Sequence, residues 1–206
     1  MRRTVSALSI LLIGMISVAH SAQPLDSLKR SMDQGIVILK DPRYQDATDK
    51  ELQREKMWET IQKIFDFTEI AKRTLARNWR NFTPQQRQEF TDRFAELLKN
   101  TYLNRIQGKF EDEKVIYLSQ DMITDSKALV KTKLLRKNKE IPIDYSMRLR
   151  NDTWRIYDVR VEGVSMVKNY RTQFNKILLN GSPAKLIERL KEKLELLKQA
   201  KEEKIS

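Results

Sequence analysis

Apolar positions along the 206-residue chain follow two different spacings, and the change falls near Gly108. Before it, Leu25, Leu28, Met32, Ile36 and Leu39 recur every three or four residues, which is one face of a helix, and Asp41-Pro42 ends that helix. Leu52, Trp58, Ile61, Ile64 and Phe65 mark a second helix. Asp66 with Glu69 makes a capping-box pattern that opens a short third helix towards Trp79. The fourth start carries Thr83 at the N-cap, Pro84 at N1 and Gln86 at N3. Its apolar face is Phe90, Phe94, Leu97, Leu98, Thr101, Tyr102 and Ile106, with Gly108 as the expected stop.

Beyond Gly108 the period drops to two. Val115 to Leu118 reads as a short strand. Ala128, Val130, Thr132 and Leu134 then alternate with lysines, and Ile141, Ile143, Tyr145, Met147 and Leu149 alternate with polar residues. Trp154 to Val161 is the fourth strand, and Lys137-Asn138-Lys139 and Asn151-Asp152-Thr153 supply turns. Such short connections make neighbouring strands antiparallel, with one wet and one buried face. Two helices close the chain: one carries Val167, Tyr170, Phe174, Ile177 and Leu178, the other Leu186, Leu190, Leu194 and Leu197. The pattern predicts an α+β protein with helices packed on one face of an antiparallel four-stranded sheet. Its buried face is rich in large groups, among them Tyr145, Met147, Trp154, Phe94 and Tyr102. Alternation alone leaves open whether they fill a core or line a pocket.

The first residues change the picture of what chemistry is available. Met1-Arg2-Arg3 precedes an uncharged run from Thr4 to Ala19, shorter than the ~20 apolar residues of a comfortable membrane span. With Ala19-His20-Ser21 as a small-residue cleavage pattern, residues 1–21 are expected to be a removable secretory signal peptide. Residues 22–206 then form a single domain with a fraying Lys/Glu C-terminal end. His20 is the only histidine and there is no cysteine, so the processed chain has neither Ser-His-Asp nor Cys-His catalysis and no histidine or thiolate for zinc. No catalytic residue, metal or cofactor is expected. The net charge of +12 suits an anionic partner. No aromatic-basic RNA motif or zinc-finger pattern is present, so nucleic acid is not expected; an anionic membrane surface and a merely solvated basic face both remain.

The stretch "VRVEGVSMVKNYRTQF", residues 159–174, places a serine where strand pattern gives way to helix pattern. A nucleophile elbow G-x-S-x-G needs glycine at 167, where the chain has Val167. Ser165 is therefore read as an N-cap, with Gly163 giving the reversal its backbone freedom. Lys168 at N3 cannot complete a capping box. Asp158 beside Tyr157 is the one carboxylate–tyrosine pair worth nominating for proton transfer, and strand neighbours point to opposite faces.

Three stretches resemble the MlaC family of periplasmic phospholipid carriers, also called toluene-tolerance auxiliary proteins. "FTEIAKRTLARNW", 67–79, resembles the family's Leu-Gly-x-x-Trp segment, with Ala76 where glycine is usual. "TPQQRQEFTDRFAELLKNTY", 83–102, is similar to its Thr-Pro-x-Gln-Arg helix. "WRIYDVRVEGVSMVKNYRTQF", 154–174, matches at Trp154, Tyr157-Asp158, Glu162-Gly163-Val164-Ser165 and the arginine and phenylalanine that follow. The resemblance implies an NTF2-like fold whose curved sheet and helices enclose an apolar cavity for acyl chains. It implies a periplasmic phospholipid carrier, not an enzyme, that keeps the outer membrane asymmetric. Its partners would be an outer-membrane lipoprotein complex and an inner-membrane ABC transporter complex with its substrate-binding subunit. The apolar faces then assign the lipid pocket to Tyr145, Met147, Trp154 and Ile156 of the sheet, opposed by Phe94, Leu98 and Tyr102 of the long helix. Val164, Val167 and Tyr170 complete it at the junction. A hopanoid or other polycyclic lipid is the alternative cargo. A periplasmic cone-fold enzyme using a buried carboxylate is the alternative class.

Overall fold

The computed structural model describes residues 23–44, 46–110 and 113–202. The expected signal peptide with His20, and residues 203–206 of the C-terminal tail, lie outside the described residues. Within them the order is α1 (Pro24–Lys40), α2 (Ala47–Ile64), α3 (Phe67–Leu75), α4 (Pro84–Lys109), β1 (Lys114–Thr124), β2 (Lys127–Arg136), β3 (Lys139–Arg150), β4 (Thr153–Val161), β5 (Val164–Ser165), α5 (Met166–Leu179) and α6 (Pro183–Glu202). The fold is α+β, as the pattern predicts. The sheet is antiparallel in the simple order β1-β2-β3-β4-β5, so the meander gains a fifth, two-residue strand.

Local chemistry explains most boundaries. Thr83 and Gln86 form a reciprocal capping box at the start of α4, and the Asp66 carboxylate accepts from the Glu69 N–H at the start of α3. Lys137, Asn151 and Asp152 take positive φ in the hairpin turns. Glu162 (φ 49°) and Gly163 (φ 80°) make the reversal from β4 into β5, where the left-handed region favours glycine.

Three expectations need correction. α4 runs through Gly108 to Lys109, because a solvent-facing glycine costs a helix only about 1 kcal/mol and does not stop it. β1 is 11 residues long, not four. A register irregularity between Tyr117 and Ser119 breaks its alternation, so the pattern marks only its first part. The third helix stops at Leu75, and a 3₁₀ segment over Ala76–Asn81 carries the chain to Trp79 and beyond. Ala76 there holds φ 50°, ψ −123°, a conformation that favours glycine. The departure from the family's usual glycine is therefore a backbone matter.

The apolar interior divides in two. One core joins α3, α4, α5 and α6 through Ile70, Leu75, Phe90, Phe94, Leu98, Val167, Tyr170, Phe174 and Leu190. The other lies on the inward face of the sheet, where Ala128, Val130, Tyr145, Met147, Trp154 and Ile156 meet Leu28 of α1 and Ile64 of α2. Phe65 packs against both. It is held there because the Asp66 N–H donates to the Ile156 carbonyl (2.9 Å), tying the α2–α3 junction to β4.

Candidate functional site

Inward residues of the sheet come in cross-strand rungs. Ala128, Met147 and Ile156 form one, and Val130, Tyr145 and Val159 the next. Tyr117, Thr132 and Ile143 form a third, which Val161 continues at an exposed end of the sheet. Over them lies α1, whose Leu28 is buried and whose Leu25 and Met32 pack on the same cluster. The helix has no side-chain cap of its own. Instead Gln120 of β1 accepts from the Leu25 N–H (2.8 Å), so the edge strand satisfies one orphan donor of the roof. The Gln120 amide also donates to the Gln23 side chain (3.1 Å).

Polar groups on this face are few. Thr132 Oγ1 donates to the Ile143 carbonyl (2.9 Å). Burial raises the Tyr145 phenol well above its ordinary range, and the nearby Tyr117 adds to that; a hydrogen bond with Thr132 opposes it. The face is thus a packed apolar layer of roughly three rungs, covered by α1 and the end of α2, and it is called the sheet chamber below.

Eight of the ten residues expected at the site divide between the two cores, and two lie exposed outside them. Tyr145, Met147, Trp154 and Ile156 lie together on the inward face of the sheet, under α1. Phe94, Leu98, Val167 and Tyr170 lie together in the helical core. The long helix therefore does not face the sheet residues as expected; α1 and the α2 end do. Tyr102 is 38% exposed and lies near Tyr170 at the rim of the helical core. Val164 is 65% exposed: it pairs with Val161, itself 43% exposed, at an open end of the sheet. Sequence reasoning missed Leu25, Leu28, Ile64, Phe65 and Tyr117 as neighbours of this face. Periodicity marked the apolar stripe of α1 but carried no information on what the stripe covers.

The strand-to-helix junction is a cap. Ser165 Oγ accepts from the Lys168 N–H (3.0 Å) and donates to Asp158 Oδ2 (2.7 Å), while Asp158 Oδ1 accepts from the Val167 N–H (3.1 Å). Two side chains thus satisfy the first N–H groups of α5, and the carboxylate also suits the helix dipole. Tyr157 is the unpaired residue at an irregularity of β4, with the Arg73 guanidinium 4.0 Å above its ring. Asp158 and Tyr157 do not form a proton-transfer pair. Of the arginines on the sheet's outer side, Arg148 pairs with Glu69 (2.6 Å) and Arg150 lies 3.6 Å from Asp66.

A groove of about 650 Å³ runs between α2, α4 and α6, away from the sheet. Arg54 lines it, 4% exposed, with its guanidinium donating to the Asn100 and Asn104 side chains. Glu51, Glu96, Lys99, Lys191 and Lys198 complete a charged lining unsuited to hydrocarbon. Among the described residues, no helix is long and apolar enough to cross a membrane. No group of three or more histidine, cysteine, aspartate or glutamate side chains there could hold a metal.

Two apolar interiors, one closed by interlocked rings and one covered by α1 on an antiparallel sheet, define a small α+β domain. A profile of the MlaC protein family matches residues 29–192, and the chain belongs to that family. Its fold is similar to that of the phospholipid-binding protein from Ralstonia solanacearum, solved in complex with a phospholipid. The two share 22% identity and a TM-score of 0.75, over 85% of this chain and 99% of that one. No curated protein sequence matches the chain.

Proposed function

We propose that the protein is a periplasmic phospholipid carrier that takes acyl chains into the chamber between the sheet and α1. It would pass them between an outer-membrane lipoprotein complex and an inner-membrane ABC transporter complex, preserving outer-membrane asymmetry. The observation that carries this reading is the inward sheet face of Tyr145, Met147, Trp154 and Ile156, in a chain of the MlaC family. The phospholipid bound by the Ralstonia protein of the same fold supports it. A carrier rather than an enzyme also suits the junction, where Ser165 and Asp158 are engaged in capping α5.

Energetics favour an apolar site with no strong head-group clamp. Two acyl chains bury roughly 30 methylenes, worth on the order of 24 kcal/mol against water at about 0.8 kcal/mol each. That exceeds the practical ceiling of non-covalent affinity, about 18–21 kcal/mol, so the useful reference is another apolar site rather than water. A shuttle has to match its donor and acceptor closely, and an apolar chamber does so by area alone.

The test is to extract the purified protein with organic solvent and identify lipids by mass spectrometry, then to offer lipid-free protein phospholipid vesicles. Co-purifying phospholipid, or uptake near one lipid per chain, is expected. Absence of both sinks the reading.

A further inference from the structure

We propose that the Tyr117 hydroxyl donates a hydrogen bond to an acyl ester carbonyl of the cargo, making the chamber selective for ester-linked diacyl lipids. The inference rests on the carrier reading above and names the lipid chemistry that its site takes.

Tyr117 stands on β1 opposite Thr132, which stands opposite Ile143, so its side chain belongs to an inward rung of the sheet. It packs against the sheet core, beneath α1. Its hydroxyl oxygen is buried and has no hydrogen-bond partner. Neighbouring hydroxyls do not supply one: Thr132 donates to the Ile143 carbonyl and is also engaged by Tyr145. Asp33 of α1 is the nearby charge, and it forms no hydrogen bond to the phenol. Burial, with Asp33 adding to it, pushes the Tyr117 phenol up to about 12, so the group keeps its proton and remains a donor at neutral pH.

A buried donor without an acceptor is costly, and native structures hold few of them. The complement is a ligand with acceptors and no donors in its apolar part. A diacyl phospholipid fits: its two ester carbonyls sit at the head of the acyl chains and would otherwise enter the chamber unsatisfied. A dialkyl ether lipid keeps the same chains with a weaker acceptor, and a polycyclic hydrocarbon has none there.

Lipid-free protein is incubated with vesicles holding equal amounts of diester and diether phosphatidylethanolamine of matched chain length. Bound lipid is then extracted and the ester-to-ether ratio read by mass spectrometry. The wild type should favour the ester about fivefold, the size of one net hydrogen bond, and Tyr117→Phe should bring the ratio close to one. Lipid-free Tyr117→Phe should also be at least as stable as wild type in urea, since no bond is lost. Equal uptake of both lipids by the wild type overturns the inference while leaving the carrier reading intact. A preference retained in Tyr117→Phe overturns it too. So does a loss of stability in that variant, which would mean that the hydroxyl already has a partner. Uptake of neither lipid removes the carrier reading and this inference with it.

Discussion

The helical core and the sheet chamber are both apolar, yet they are built in opposite ways. In the helical core Phe90 lies 5.6 Å from Phe94 and 5.4 Å from Phe174, and Phe94 lies 4.8 Å from Tyr170. Rings from α4 and α5 thus interlock, most of them edge to face, which adds specific geometry to area burial. The chamber has no such lattice. It sets Met147, Ile156 and Val130 against a helix attached through Leu28 and a few flanking residues. Dense ring packing resists rearrangement, whereas a face covered by one separately anchored helix exchanges its cover at lower cost. The difference teaches which half is scaffold and which is suited to change occupants.

Truncation is the most severe way to break the comparison. Phe90→Ala should cost about 3–5 kcal/mol and Met147→Ala about 2–5 kcal/mol in urea denaturation of the lipid-free protein. Phospholipid vesicles should restore part of the Met147→Ala loss, because a ligand that binds only the folded state stabilises it. They should give Phe90→Ala no more than they give wild type. Equal recovery in both variants would erase the distinction between the cores.

Ala76→Gly tests the scaffold half in the stabilising direction. Holding alanine at φ 50°, ψ −123° stores roughly 1–3 kcal/mol, and glycine adds about 0.5–1 kcal/mol of chain entropy. The net should be a gain of about 1 kcal/mol in thermal or urea unfolding. A loss would show that the strain is relieved in another way.

At the seam between the halves, Ser165→Ala removes a cap that also donates to Asp158. About 1–2 kcal/mol should be lost, with loading reduced no more than the loss of folded protein requires.

The smallest effect is in alkali. Burial raises both Tyr170 in the helical core and Tyr117 in the chamber to about 12 from an ordinary 10. The folded state therefore holds these protons longer than the unfolded chain. Their contribution is complete below about pH 10 and is lost as pH rises through about 12. Tyr170→Phe and Tyr117→Phe should each flatten the decline of stability across that window. An unchanged decline in either variant would place its phenol outside the buried set.

How much of this is legible in the sequence varies with the range of the interaction. Thr83 with Gln86, Asp66 with Glu69, and Ser165 with Lys168 are contacts three residues apart, so their residue types announce the caps. The alternation of Ala128, Val130 and Thr132, and of Tyr145 and Met147, gives the inward face of each strand. Ala76 could be seen as unusual through the family resemblance, but its positive φ is visible only in the folded backbone. The β1 irregularity hid half a strand, because one extra residue inverts the alternation that marks it. The candidate site was half legible. Its sheet members are neighbours of one another, while Phe94, Leu98, Val167 and Tyr170 belong to a different interior.

The sequence by itself determined the elements, most of their ends and the apolar side of each, because periodicity and capping act within a few residues. Only the tertiary structure decided that α1 rather than α4 covers the sheet, that Val164 faces solvent, and that the Tyr117 hydroxyl is buried without a partner. An apolar stripe records that a helix needs a cover but not which one. That choice belongs to the long-range packing of faces that are chemically alike.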